Sequence, residues 1–171
     1  MITVAEALAT VIAGFEALGG ETVSLADGLG RVLAEPVTAR LTHPPTDVSS
    51  MDGYAVRSAD VQAKGATLDV IGESAAGRGF SGPVGAGQCV RIFTGAPMPG
   101  GSDAVIIQED ASLDGNRVTL NEVAFPGKYV RPAGLDFSVG RELLPAGRLL
   151  TARDIGLAAS ANVPWLAVRR R

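Results

Sequence analysis

The spacing of apolar positions changes twice along the chain and divides it into three stretches. Val4, Leu8, Val11, Ile12, Phe15 and Leu18 fall on one face of a 3.6-residue helix. Thr3-Val4-Ala5-Glu6 has the form of a capping box, in which the Thr3 hydroxyl takes a helix N–H and Glu6 reaches back. Gly19-Gly20 is the expected stop. Ser24 opens a shorter piece broken by Gly28 and Gly30. Residues 31–39 then read as extended, with Pro36 marking an edge or an irregular strand.

From residue 42 to about residue 130, short β-prone runs alternate with turns. The runs are residues 53–56, 67–72, 88–93, 104–108 and 117–120. Asp114-Gly115-Asn116 predicts a hairpin between 111–113 and 117–120, and residues 58–62 fit one helical turn. The last stretch changes again. Residues 142–147 read as strand then turn, and Thr151 with Asp154 repeats the capping pattern. A helix over 155–161 follows, closed by Asn162 in a left-handed conformation, and 163–168 form a final strand.

Helix-bearing segments at both ends of a β module predict an inserted layout. Residues 1–42 with 132–171 form one discontinuous domain, and 43–131 form an inserted, mainly-β domain of small-barrel type. The fold class is α+β, mainly β. Composition agrees: 22 of 171 residues are glycine and 10 are proline, against a usual glycine share of about 7%. The glycines have no period and lie between apolar runs, which excludes collagen-like and disordered chains.

The formal charge is −3 with no basic face, so nucleic acid is not an expected partner. Arg169-Arg170-Arg171 reads as a surface strand end or a cut point in a longer protein. The single Cys89 excludes an internal disulfide and fits a reducing compartment. With neither an N-terminal signal pattern nor an apolar run of bilayer length, the chain reads as cytoplasmic with no membrane contact.

Three runs carry candidate chemistry. In Ser49-Ser50-Met51-Asp52-Gly53-Tyr54-Ala55-Val56-Arg57, two hydroxyls and a carboxylate precede a glycine and a strand, which holds an acid at a strand mouth. The glycine either lets the backbone turn or lets a ligand come close. In residues 93–103, prolines stiffen a loop whose glycines allow a concave row of N–H groups, with Thr94 adding a hydroxyl; an ordinary stiff turn is the other reading. In residues 129–136, Arg131 and Asp136 either pair structurally or face a ligand phosphate and a cation.

Gly77-Arg78-Gly79-Phe80-Ser81-Gly82 has dinucleotide spacing, but Pro83, Gly85 and Gly87 follow where a helix must begin, so it reads as a surface loop. His43, the sole histidine, precludes a multi-histidine zinc site and reads as a loop residue. A hard cation needs only one or two carboxylates, for which Asp52, Asp103, Glu109, Asp110 and Asp136 are available.

Taken together, the chain resembles the N-terminal region of molybdopterin molybdenumtransferases, the MoeA-type enzymes that include the gephyrin E domain. The carriers are Ser50 to Arg57, Arg91-Ile92-Phe93-Thr94-Gly95-Ala96-Pro97, Asp103 to Glu109, and Arg131-Pro132-Ala133-Gly134-Leu135-Asp136. Gly30-Arg31-Val32-Leu33-Ala34 and residues 151–168 also fit. The resemblance implies insertion of molybdate into adenylylated molybdopterin with release of AMP, using Mg²⁺, by a homodimer. It implies Asp52 and Thr94 as catalytic groups, Ser50, Gly95, Arg131 and Asp136 as substrate-binding residues, and Asp52 and Asp136 as metal ligands. The later α/β domain of such enzymes, which completes the site from the partner subunit, has no counterpart here. The resemblance therefore implies a fragment that is inactive alone. The alternative is a non-catalytic scaffold or oligomerisation module of the same family.

Overall fold

The computed structural model describes residues 2–16 and 18–171. In chain order the elements begin with α1 (Val4–Ala13), β1 (Gly20–Ser24), β2 (Val37–Thr38), β3 (Val48–Ser49), β4 (Gly53–Val56) and β5 (Ala66–Ser74). Next come β6 (Gln88–Ile92), β7 (Ala104–Ile107), β8 (Ala111–Asp114), β9 (Arg117–Leu120) and β10 (Val130–Arg131). β11 (Glu142–Leu144), α2 (Ala152–Ser160) and β12 (Trp165–Arg169) follow. A mainly β chain with two α-helices is the class its residue pattern predicts.

Contacts divide the chain into two compact units, Met1–Leu41 with Val139–Arg171, and Thr42–Ser138. Residues 132–138, placed in the discontinuous domain on sequence, group with the second unit. There His43 bridges Phe137, and the Gly134 amide donates to the Pro44 carbonyl.

In the first unit, β1 pairs antiparallel with β12, and β2 with β11. The α1 capping box forms as its sequence predicts: Glu6 N–H donates to Thr3 Oγ1 at 3.2 Å, and Thr3 N–H to Glu6 Oε2 at 2.8 Å. The helix stops at Gly14, before the expected Gly19-Gly20, and residue 17 lies outside the described residues. None of its residues is buried; Val4 is 86% exposed and, beyond its end, Phe15 is 77% exposed. Strand β1 has no long apolar run of its own, and it takes its form from the register Gly20↔Arg169 to Ser24↔Trp165. Residues 31–39 hold only β2 and the bridges Val32↔Leu149 and Leu33↔Val168. Gly28 lets side chains pack close: a Cβ there would lie 2.9 Å from Leu166 Cδ1 and 3.0 Å from Ile155 Cδ1, and both tips would have to shift. Asn162 closes α2 at φ +59, as expected.

In the second unit six strands form one sheet, in the order β7-β4-β6-β5-β9-β8, curled into a half-barrel. Strand β4 runs antiparallel to both neighbours, while β5 and β6 are parallel. The Gly115 turn, at φ +56, closes the predicted β8–β9 hairpin with Asp114 opposite Arg117. Strand periodicity sends Tyr54 and Val56 into a core with Leu68, Cys89, Ile106, Val118 and Leu120. Ala55 goes to the other face with Ile92, Ala96 and Val105. Burial pushes the Cys89 thiol up to about 12 and leaves it unreactive. The 77–82 loop carries an Ala75↔Arg78 bridge and leads into β6 without a helix.

The second capping box carries a pH dependence. Asp154 is buried, accepts from Arg148 Nε and from the Thr151 amide at 2.9 Å each, and returns its own amide to Thr151 Oγ1. The Arg148 guanidinium, then the Thr151 amide, hold its carboxyl down at about 2, against an ordinary 3.8. A lowered folded-state value stabilises the protein above the unfolded value, and that stabilisation is lost as pH falls through the window from 3.8 toward 2. Thermal melts between pH 6 and pH 2 should show Tm falling across that window. Asp154→Asn should flatten that part of the profile and cost about 2 kcal/mol at pH 6. An unchanged profile in the variant would rule the assignment out.

Candidate functional site

Asp52 stands immediately before β4, and the register that pairs Gly53 with Ile92 brings it level with the residues just after β6. Thr94 is there. Its amide and its hydroxyl both donate to Asp52 Oδ1, each at 2.8 Å. These two donors, the amide first, hold the Asp52 carboxyl below the usual range; burial opposes them in part, and the nearby Arg91 charge adds the least. The half-buried carboxylate is therefore charged at neutral pH, and its Oδ2 makes no hydrogen bond among the described residues.

The chain before Asp52 is tied down by its own hydroxyls. Ser49 Oγ donates to the Met51 carbonyl at 2.6 Å and accepts the Met51 amide at 3.2 Å. Ser50 donates through both its amide and Oγ to the Tyr129 carbonyl, each at 3.0 Å. Its hydroxyl hydrogen is thus engaged with protein. Gly95 takes φ +80 and donates its amide to the Ser49 carbonyl at 2.8 Å, while Ala96 donates to Phe93. The Thr94 amide is also engaged, so residues 94–96 present no row of unengaged N–H groups. Those amides hold the Asp52 loop in place.

Arg131 and Asp136 form the structural pair that was one of the two expectations. Arg131 Nη2 lies 2.9 Å from Oδ1 and 3.0 Å from Oδ2 of Asp136. His43 Nδ1 is 2.9 Å from the same Oδ2, with its ring 5.8 Å from that of Phe137. The His43 contact, then the Arg131 charge, holds Asp136 below the usual carboxylate range. A cleft of about 400 Å³ is lined by His43, Val48, Gly77, Gly95, Pro97 and Arg131, so it adjoins both acid centres through Gly95 and Arg131.

The remaining acids have other duties. Asp103 accepts the Ser58 amide at 2.6 Å and the Ser58 hydroxyl at 2.7 Å. Glu109 and Asp110 lie in a single 3-10 turn, Gln108–Asp110, after β7. Among the described residues no three His, Cys, Asp or Glu side chains gather as a metal group. Asp52 can supply one carboxylate to a cation that arrives with a phosphate. Asp136 fits that role poorly, because both its oxygens already face basic groups. The sequence reading missed His43 and Arg91. His43 meets a residue far along the chain, while Arg91 was visible as the one charged residue of its strand.

The second unit is a half-barrel sheet that holds a donor-locked acid at the mouth of a central strand. The chain belongs to the family described as the MoeA N-terminal region (domain I and II), whose model matches residues 2–162. It is 41% identical over 155 residues to a molybdopterin molybdenumtransferase of Nostoc sp., covering 88% of this chain and 36% of that protein. It is 38% identical over 144 residues to the Haemophilus influenzae molybdopterin molybdenumtransferase, covering 84% of this chain and 35% of that one. It is 30% identical over 162 residues to gephyrin of Dictyostelium discoideum, with 85% and 22% covered. A crystal structure of the molybdopterin biosynthesis moeA protein from Pyrococcus horikoshii superposes with TM-score 0.91 at 29% identity, over 98% of this chain and 46% of that one. The chain thus spans less than half the length of these relatives. No helix among the described residues is long and apolar enough to cross a membrane.

Thr94→Val keeps the side-chain shape and removes one of the two donors to Asp52. Carbon-detected carboxyl titration should then show the Asp52 pKa moving up, yet staying below the ordinary value because the amide bond remains. A titration identical to wild type would show that the hydroxyl contributes nothing.

Proposed function

We propose that this chain carries the acid–hydroxyl half of a site at which molybdate is inserted into adenylylated molybdopterin with release of AMP. The observation that supports this most is the Asp52–Thr94 pair at the mouth of β4. The relatives' names give the substrate class, and their greater length gives room for the rest of the site. On this reading Thr94 fixes Oδ1 and keeps Asp52 ionised, which leaves Oδ2 to hold a divalent cation such as Mg²⁺. When bound, that cation would neutralise charge on the nucleotide phosphates. Arg131 and Gly95 line the adjoining cleft, and Arg131 stays oriented by Asp136. Asp136 acts here through Arg131, with no metal of its own. The remaining contacts come from the portion of the relatives outside the match, so the 171 residues assayed by themselves do not turn over. A chimera that adds that portion from the Nostoc relative should release AMP when given molybdate, Mg²⁺ and adenylylated molybdopterin. Asp52→Asn should slow it on the order of 100-fold. Wild-type turnover in that variant would exclude the reading.

The first unit supports a second element of the proposal, a homodimer. Leu8, Val11 and Ile12 share one helical face of α1 and are 57%, 59% and 60% exposed. A stripe of this kind on a capped helix suits an isologous contact with a second copy. If this unit serves mainly as an assembly module, as the gephyrin likeness allows, the same stripe carries it. Sedimentation equilibrium should find a dimer, and Leu8→Glu with Ile12→Glu should give monomers with an unchanged far-ultraviolet circular dichroism spectrum and a Tm that no longer depends on protein concentration. A wild-type chain that stays monomeric at all concentrations would remove this element.

A further inference from the structure

The peptide between Asp52 and Gly53 is held by a closed ring of polar contacts. The Asp52 carbonyl accepts the Gln108 amide at 3.0 Å. The next carbonyl, that of Gly53, accepts Arg91 Nη1 at 3.0 Å. Arg91 Nη2 donates to Gln108 Oε1 at 2.6 Å and closes the ring. The start of β4, the middle of β6 and the turn after β7 are thereby joined at one point. The guanidinium carbon also lies 5.3 Å from the Tyr54 ring centre and 4.8 Å from that of Phe93. Stacking of this kind fixes the plane of the fork and suits arginine, whose rigid donors reach two acceptors at once. Lysine has a single nitrogen and cannot span both.

We propose that Arg91 and Gln108 are positioning residues that lock peptide 52–53, so that Asp52 Oδ1 meets both donors of Thr94. Both hydrogen-bond acceptors of Arg91 are neutral, a carbonyl and an amide oxygen, so the fork orients backbone. A Cβ on Gly53 would lie only 2.0 Å from the Ile106 carbonyl oxygen, so the backbone there already touches β7 and cannot move further toward it. Arg91 holds it on the β6 side. Phe93, one of the rings that stack on Arg91, directly precedes Thr94, so the same guanidinium restrains both partners of the acid–hydroxyl pair. The functional consequence rests on the reading of Asp52 given above; the positioning itself does not.

The reporter is the Thr94 amide proton, which bonds to Oδ1 and shifts as Asp52 ionises. In ¹⁵N-resolved spectra of the 171-residue chain, it should titrate with a single acidic midpoint. Arg91→Met and Arg91→Lys should both weaken that titration and move its midpoint upward, and Gln108→Leu should do the same. The double variant Arg91→Met with Gln108→Leu should go no further than Arg91→Met alone, since one break opens the ring. Arg117→Met, which removes an exposed charge paired with Asp69, should leave the reporter unmoved. A folded Arg91→Met chain in which Thr94 titrates as in wild type overturns the proposal. Should that variant fail to fold, an unmoved reporter in Gln108→Leu overturns it equally, because that change removes only one link. In the chimera, Arg91→Met should lower kcat on the order of 10-fold with KM unchanged. If the reporter moves while Arg91→Met and Asp52→Asn both turn over normally, the ring stands and the molybdate-insertion reading fails.

Discussion

The second unit depends on the absence of a side chain at position 53. A Cβ there would lie 2.0 Å from the Ile106 carbonyl oxygen and 2.9 Å from Ile107 Cα. Any larger residue drives β4 and β7 apart, at a cost of about 1–3 kcal/mol or more. Because β4 lies between β6 and β7, that displacement would disturb two ladders at once. The same glycine pairs with Ile92 on one side and Ile107 on the other. These two registers decide where Asp52 stands, since it is the residue just outside the paired strand. The glycine's freedom from a side chain serves the neighbouring strand's backbone.

Burial makes this placement rigid. All four β4 residues are buried, with Tyr54 and Val56 in one core and Ala55 in the other. A strand packed on both faces has little room to slide, because a one-residue slip would exchange its two sets of side chains. Its far end is pinned as firmly: Ser58 gives both its amide and its hydroxyl to Asp103, just ahead of β7. Two acids thus stand near the two ends of one short strand. One receives both donors of a serine, one on each oxygen. The other receives both donors of a threonine on a single oxygen, which leaves its second oxygen without a hydrogen bond among the described residues.

Local signals in the chain were legible where they act over a few residues. The Thr3–Glu6 and Thr151–Asp154 boxes, the Gly115 hairpin and the left-handed Asn162 each need only neighbours in sequence. The run ahead of β4 showed an acid at a strand mouth, because hydroxyls, carboxylate, glycine and apolar residues followed in that order. What stayed hidden was pairing across distance. Strand β1 exists through β12, and the extent of α1 was misjudged because its apolar stripe continues past Gly14. The glycines and prolines of residues 93–103 permit either an anion cradle or an ordinary stiff turn. Sequence could not tell that Asp52, Ser49 and Phe93 would take its amides first. His43 meets Asp136 across a separation of 93 residues, which no local pattern announces.

Asp52 and Asp136 show why a list of acids does not make a site. Both carboxyls are held below the usual range, and both are partly open to solvent. The lowering has different physical sources. At Asp52 the leading partners are an uncharged amide and an uncharged hydroxyl, so the group keeps its full negative charge to offer outward. At Asp136 the partners are a histidine ring and a guanidinium, and the guanidinium cancels the charge locally. A cation approaching Asp136 would have to displace Arg131 or sit against it, whereas one approaching Asp52 meets an oxygen with no such competitor in direct contact. Shifts of the same sign in acidity can thus accompany opposite capacities for binding. Of the two carboxylates, Asp52 keeps an oxygen free of hydrogen bonds among the described residues, while Asp136 braces Arg131.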